Sequence, residues 1–222
     1  MACGGCWAFA SVSVISDRHC IYNYAKTGQI FFSTMQVLSC VGNGCDGGLE
    51  FNAFEHWVHR GLVTGGTAYR EANQPDGCLP LPLNFIRNPT GCPRSCTNPN
   101  YPKTFEEDKI RGGDYYHWYY PNVETIQREV YVYGPVTASM RVFTDFYFHK
   151  TGVYEQKYGI ETDVHAVKII GWGKENGVDY WLIVDSHGVN FGDNGFLKIR
   201  RGNNTVMIET RIGGVLPQEG VA

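Results

Sequence analysis

An α+β chain of two lobes is what the sequence predicts, on three observations. All eight cysteines, at positions 3, 6, 20, 40, 45, 78, 92 and 96, lie in the first half. Helical periodicity dominates that half, and short strand-like runs fill the second. The change of character falls between about 105 and 115, placing residues 1–108 in a helical lobe with cross-linked loops and 109–222 in a mainly β lobe.

Each element has a local reason. Residues 7–26 read as a helix with Phe9, Val12, Ile15 and Tyr22 among its apolar positions and Gly28 as its stop. Ser33 and Gln36 have capping-box spacing and predict a short helix ending near Cys40. A third helix is predicted over 49–60, with Ala53, Phe54, Trp57 and Val58 on one side and Gly61 beyond its end. From Gly65 to Asn100 the chain is rich in Pro, Gly and Asn and reads as cross-linked loop. A helix over 122–133 follows, capped by Asn122, with Val123, Ile126 and Val130 inward and Gly134-Pro135 ending it. Strands are predicted at 136–142, 165–172, 178–184 and 195–201, most of them separated by glycine-containing turns.

Composition sets outer bounds. The 222 residues are 43% hydrophobic and 18% charged, with a formal net charge of −3. That balance gives no electrostatic reason to expect nucleic acid or an anionic membrane as partner, and no apolar run approaches the roughly 20 residues of a membrane span. Eight cysteines point to an oxidising compartment. The first residues show no basic-then-apolar leader, so the expectation is a chain without its natural N-terminal part.

The stretch CGGCWAF (3–9) carries the first chemical signal. Its C-x-x-C spacing is compatible with a structural disulfide, a metal clip, a redox pair, or a nucleophile beside a disulfide cysteine. Zinc would want a second pair of similar spacing; Cys40/Cys45 and Cys92/Cys96 differ from it. A thioredoxin-type pair usually follows its tryptophan, whereas Trp7 comes after Cys6. Position adds to the argument: Cys6 is predicted at the N-terminus of the first helix, where unpaired N–H groups favour a thiolate. Such a nucleophile needs a histidine distant in sequence. His19, His56 and His59 are expected on exposed helix positions, and His117 and His149 sit in aromatic stretches without a distinctive frame. His165 opens an apolar strand, and His187 follows Asp185-Ser186 just beyond the next one.

CGGCWAF (3–9), GCDGG (44–48), VHAVKIIGWG (164–173), YWLIVDS (180–186) and FGDNGFLKI (191–199), in that order, resemble the successive signatures of papain-family cysteine peptidases. ISDRHCI (15–21), TDFYFHKTGVY (144–154) and IETRIGGVLP (208–217) resemble the cathepsin B group. The resemblance implies a two-lobed papain-like fold: a helical left lobe carrying Cys6, a β-barrel right lobe carrying His165, and a cleft between them. Cys6 matches the nucleophile and His165 the general base. It also implies the pairings Cys3 with Cys45, Cys40 with Cys92 and Cys78 with Cys96. Gly47 and Gly48 match the backbone strip that binds an extended substrate.

Several positions depart from the family pattern. The oxyanion glutamine, six positions before the nucleophile, would fall ahead of Met1. Asp185 stands where the family has an orienting asparagine, which implies altered pH dependence. His187 and Phe191 replace two tryptophans, a loss expected to wet the site. LPLPLNFIRNPTG (79–91) lacks the histidines of the cathepsin B occluding loop, implying endopeptidase action. Arg211 maps to an acidic residue of the main specificity pocket, and His187 also falls among the substrate-binding positions. Cys20 matches a cysteine whose partner lies upstream, so two free thiols are expected, Cys6 and Cys20. Asn203-Asn204-Thr205 fits an N-glycosylation sequon.

The function implied is a cysteine endopeptidase acting on peptides or proteins, monomeric, with no metal or cofactor. The family's propeptide or protein inhibitors are its implied partners, and the implied site is a lysosome-like or digestive vesicle, or the exterior. The competing reading is an impaired homologue that binds peptides or a protein partner.

Overall fold

The structure, a computed structural model, describes residues 3–66, 76–82, 89 and 91–218, and only the backbone of 24–27. The chain divides into two compact units. One runs through Tyr115 and resumes at Val215, and the other is Tyr116–Gly214. The architecture is mixed α+β.

The first unit holds three helices, α1 (Cys6–Thr27), α2 (Thr34–Cys40) and α3 (Glu50–Arg60). α1 is buried around most of its circumference from Trp7 to His19, with Trp7, Ala8, Val14 and Ile15 at or below 1% exposure. Ser11, Ser16, Arg18, His19 and Asn23 are buried as well. Ser11 Oγ donates to the Trp7 carbonyl at 2.6 Å, and Arg18 Nη1 to the Val215 carbonyl at 2.9 Å. That packing corrects one sequence expectation. His19 is buried rather than exposed, its ring 5.3 Å from and perpendicular to Phe32; Tyr22, one of the apolar positions, is exposed. A helix wrapped by neighbours has no polar face for periodicity to reveal.

Only half of the predicted capping box forms at α2. Ser33 Oγ accepts from the Gln36 N–H at 3.0 Å. The Gln36 side chain instead donates to the Gly61 carbonyl and accepts from the Val63 N–H, because Ser33 N–H is already given to the Val63 carbonyl. α3 ends on Gly61 at φ +80°. Disulfides link Cys3–Cys45, Cys40–Cys92 and Cys78–Cys96, and Cys6 and Cys20 are free thiols. The last pair sits in a small core with Val63, Leu79 and Phe105.

The second unit is built on a seven-stranded sheet of order β1-β7-β2-β4-β5-β6-β3. Its strands are β1 (Gly112–Tyr119), β2 (Val136–Phe143), β3 (Val153–Tyr154), β4 (Glu161–Glu175), β5 (Val178–Val184), β6 (Phe196–Arg200) and β7 (Arg211–Pro217). The chain changes unit within β1 and again within β7. α4 (Val123–Tyr133) is capped by Asn122 Oδ1, which accepts from the Thr125 N–H at 2.7 Å. It turns Ile126 and Val130 onto a core of Met140, Phe146, Ile169, Trp181 and Ile183.

β1, β3 and β7 were not among the predicted strands. β7 hides behind Gly213-Gly214, where packing demands a missing side chain: a Cβ on Gly214 would stand 2.7 Å from the Tyr116 hydroxyl. β3 is a two-residue parallel pairing with β6 that no periodicity can announce. Among the described residues no helix is long and apolar enough to cross a membrane.

Candidate active site

In the first unit, Cys6 is the first residue of α1 and half-buried. The Gly5 carbonyl starts the helix by accepting from the N–H groups of Ala8 and Phe9 at 2.9 and 3.1 Å. The loop before Cys6 is tied to the 44–48 turn twice, by the Cys3–Cys45 bond and by Gly4 N–H to the Cys45 carbonyl at 2.7 Å. Trp7 is the joint between the two segments. Its Nε1 donates to the Gly44 carbonyl at 3.1 Å, and a Cβ on Gly48 would come within 2.5 Å of its ring. Gly47 differs: nothing lies within 4 Å of a Cβ there, and its φ of +97° is what calls for glycine.

In the second unit, β4 and β5 run antiparallel with Lys168 opposite Val184. Asp185 lies just past β5, its N–H donating to the Gly195 carbonyl at 2.9 Å. These placements bring three predicted residues together. His165 Nε2 is 3.0 Å from Asp185 Oδ2, and His187 Nδ1 is 2.5 Å from Asp185 Oδ1. The His187 backbone N–H donates to that same Oδ1 at 2.7 Å. Burial alone would raise the pKa of Asp185; the hydrogen bonds from His165 and His187 outweigh it and hold the carboxyl well below the usual carboxylate range. An ionised carboxylate only accepts, so Nε2 of His165 and Nδ1 of His187 both carry hydrogen. In neutral His165, Nδ1 is then the basic nitrogen.

The expectation of a wet site is corrected here. The Asp185 side chain is fully buried and that of His165 is 7% exposed. The His187 ring lies 4.9 Å from the rings of both His165 and Phe191, so imidazole and phenyl together do the covering. The same three residues are the one group of potential metal ligands found among the described residues. Both carboxylate oxygens already serve N–H donors, so a cation would have to displace the ring hydrogens facing them.

Arg211 opens β7 and is half-buried, with Nη2 donating to Ser139 Oγ on β2 at 2.7 Å. Ser139 carried no sequence signal; only strand pairing places it there. His56 is half-buried and His59 exposed. In the 79–91 segment, residues 83–88 and 90 lie outside the described residues. Asn203 is exposed, and its Oδ1 accepts from both the backbone N–H and the hydroxyl of Thr205.

Residues 1–215 match the profile of the papain family cysteine proteases. The chain belongs to that family. Among its relatives, this papain-family chain is 43% identical over 216 residues to cathepsin B-like cysteine proteinase 3 of Caenorhabditis elegans, covering 95% of the chain and 58% of the relative. It is 41% identical over 221 residues to a gut-specific cysteine proteinase of the same nematode, covering 95% and 65% respectively. Procathepsin B S9 from Trypanosoma congolense superposes with a TM-score of 0.84 at 32% identity, covering 98% of this chain and 70% of that one. The papain-family chain thus spans less than two thirds of the two nematode relatives.

Proposed function

We propose that this chain is the peptidase part of a cathepsin B-like cysteine endopeptidase, with Cys6 as nucleophile, His165 as general base and Asp185 as the group orienting His165. The observation that carries the reading is the bond from His165 Nε2–H to Asp185 Oδ2, which directs the basic Nδ1 away from the carboxylate. In the reaction, a thiolate on Cys6 forms an Sγ–C bond to the peptide carbonyl, and the charge moves to oxygen. The Cys6 N–H serves as an oxyanion donor. Imidazolium at His165 gives its Nδ1 proton to the leaving nitrogen as the C–N bond breaks. Water, losing its proton to His165, then hydrolyses the thioester and restores the thiol. Gly47 and Gly48 present backbone to an extended peptide.

Arg211 puts a cation beside the specificity pocket, so acidic or apolar residues are preferred, and arginine disfavoured, at the second position upstream of the cleaved bond. Peptide and protein chains are the substrates, and a family propeptide is a natural inhibitor. Three disulfides favour an oxidising, digestive or secreted setting, in line with the relative named for the gut.

The test is hydrolysis of a fluorogenic peptide library by the chain and by Cys6→Ser, with free and amidated C-termini. Cleavage that disappears in Cys6→Ser and does not favour the free carboxylate is the expected result. Equal, background rates for both proteins would reject catalysis and favour the peptide-binding homologue, while faster release from free C-termini would reject endopeptidase action.

A further inference from the structure

Building on that catalytic reading, we infer that His187 is a positioning residue: its ring and backbone N–H groups hold the carboxylate of Asp185, and through it the ring of His165, so that positions 185 and 187 work only as a matched pair. Asp185 is a fully buried side chain with both oxygens occupied, Oδ2 by His165 and Oδ1 by the two N–H groups of His187. An amide at position 185 has a single acceptor oxygen. Turned to serve His165 Nε2–H, it points its NH2 at the two donors of residue 187. Turned the other way, it points NH2 at His165. One of the donors is a backbone N–H whose proton cannot relocate, so neither orientation satisfies the group.

The converse also holds. Without the ring donor at 187, Oδ1 keeps only the backbone N–H in a place closed to water, and the carboxylate loses the contact that opposes its rotation. The His187 ring is itself held, 4.9 Å from Phe191 at 39° and 6.4 Å from Tyr147 at 87°. His187 therefore does more than cover the site. It supplies the donor that makes an aspartate the right residue next to His165.

Kinetics on the whole chain give the first readout. His187→Ala should lower kcat about 10-fold with KM within about 2-fold, the signature of a lost transition-state interaction. His187→Asn, whose amide N–H can reach where the ring Nδ1 stood, should recover most of that loss and also answers for any loss of fold in the alanine variant. Asp185→Asn should cost about 10²-fold, and less than that when combined with His187→Ala. An unchanged kcat in His187→Ala, or equal losses in the alanine and asparagine variants, overturns the inference.

A second readout needs no turnover. In 15N-histidine NMR of Cys6→Ser, His187 should carry its proton on Nδ1 and His165 on Nε2, and His187→Ala should shift the His165 Nε2–H resonance. An unprotonated His187 Nδ1, or an unmoved His165 resonance, overturns the pairing whatever the activity. The expected spectra from a chain that hydrolyses nothing would instead sink the proposed catalysis and leave the pairing standing.

Discussion

The two units hold their candidate residues by different means. Around Cys6, covalent bonds and close packing fix a loop that has little regular structure: the Cys3–Cys45 bridge, the Gly4–Cys45 hydrogen bond, and Trp7 seated against Gly48. The unit that carries His165, Tyr116–Gly214, contains no cysteine; the last one in the sequence is Cys96. Strand register and a buried carboxylate hold His165 instead. A loop has few buried contacts to pin it, so cross-links restrict its unfolded alternatives. A sheet already fixes its residues, and the remaining task is to satisfy a buried charge.

The largest expected effect comes from breaking the covalent half. Replacing Cys3 and Cys45 by serine opens a link across a sequence separation of 42 residues, worth about 4 kcal/mol by chain entropy. Denaturant unfolding followed by Trp fluorescence should show it, and an unmoved midpoint would mean that packing on Trp7 suffices.

Breaking the electrostatic half should cost less. Asp185→Ala leaves ring N–H donors of two histidines without their acceptor, about 2–3 kcal/mol. The effect should depend on pH in a definite sense. The folded-state pKa of Asp185 is depressed, so its contribution is fully present above the unfolded carboxylate value of about 3.9 and is lost as pH falls through the folded value. Wild type and Asp185→Ala should therefore differ most above about pH 5 and converge in strong acid. A constant difference from pH 7 to pH 2 would show that the lost interaction was not ionic.

Two glycines sharpen the comparison within the loop. Gly48→Ala drives a methyl into the Trp7 ring and should cost about 2 kcal/mol by overpacking. Gly47→Ala has open space but a φ of +97°, and should cost about 1 kcal/mol through backbone strain alone. Equal thermal shifts for the two variants would argue against Trp7 as the joint.

Much of this was legible beforehand, and the misses share a cause. α4 announced itself through Asn122, an amphipathic stripe and Gly134, and the β5 run 178–184 coincides with the strand. β7 escapes periodicity because Gly214 is there to admit Tyr116, a residue far away in sequence. His19 was misjudged because neighbours, not its own helix, bury it. The half-formed capping box at Ser33 failed for the same reason: Gln36 had tertiary partners in Gly61 and Val63. Asp185 and His187 were both visible as departures from a pattern, two positions apart. That they answer each other through one carboxylate was not.

By itself, the sequence determined the α+β class, most helix and strand positions, the family, and which side chains could carry the chemistry. Those follow from periodicity, caps and residue type, all of which are local. Tertiary structure alone decided that the carboxylate of Asp185 is dry, charged and shared between two imidazoles. Burial and donor count depend on what arrives from other strands, and no window of sequence contains that.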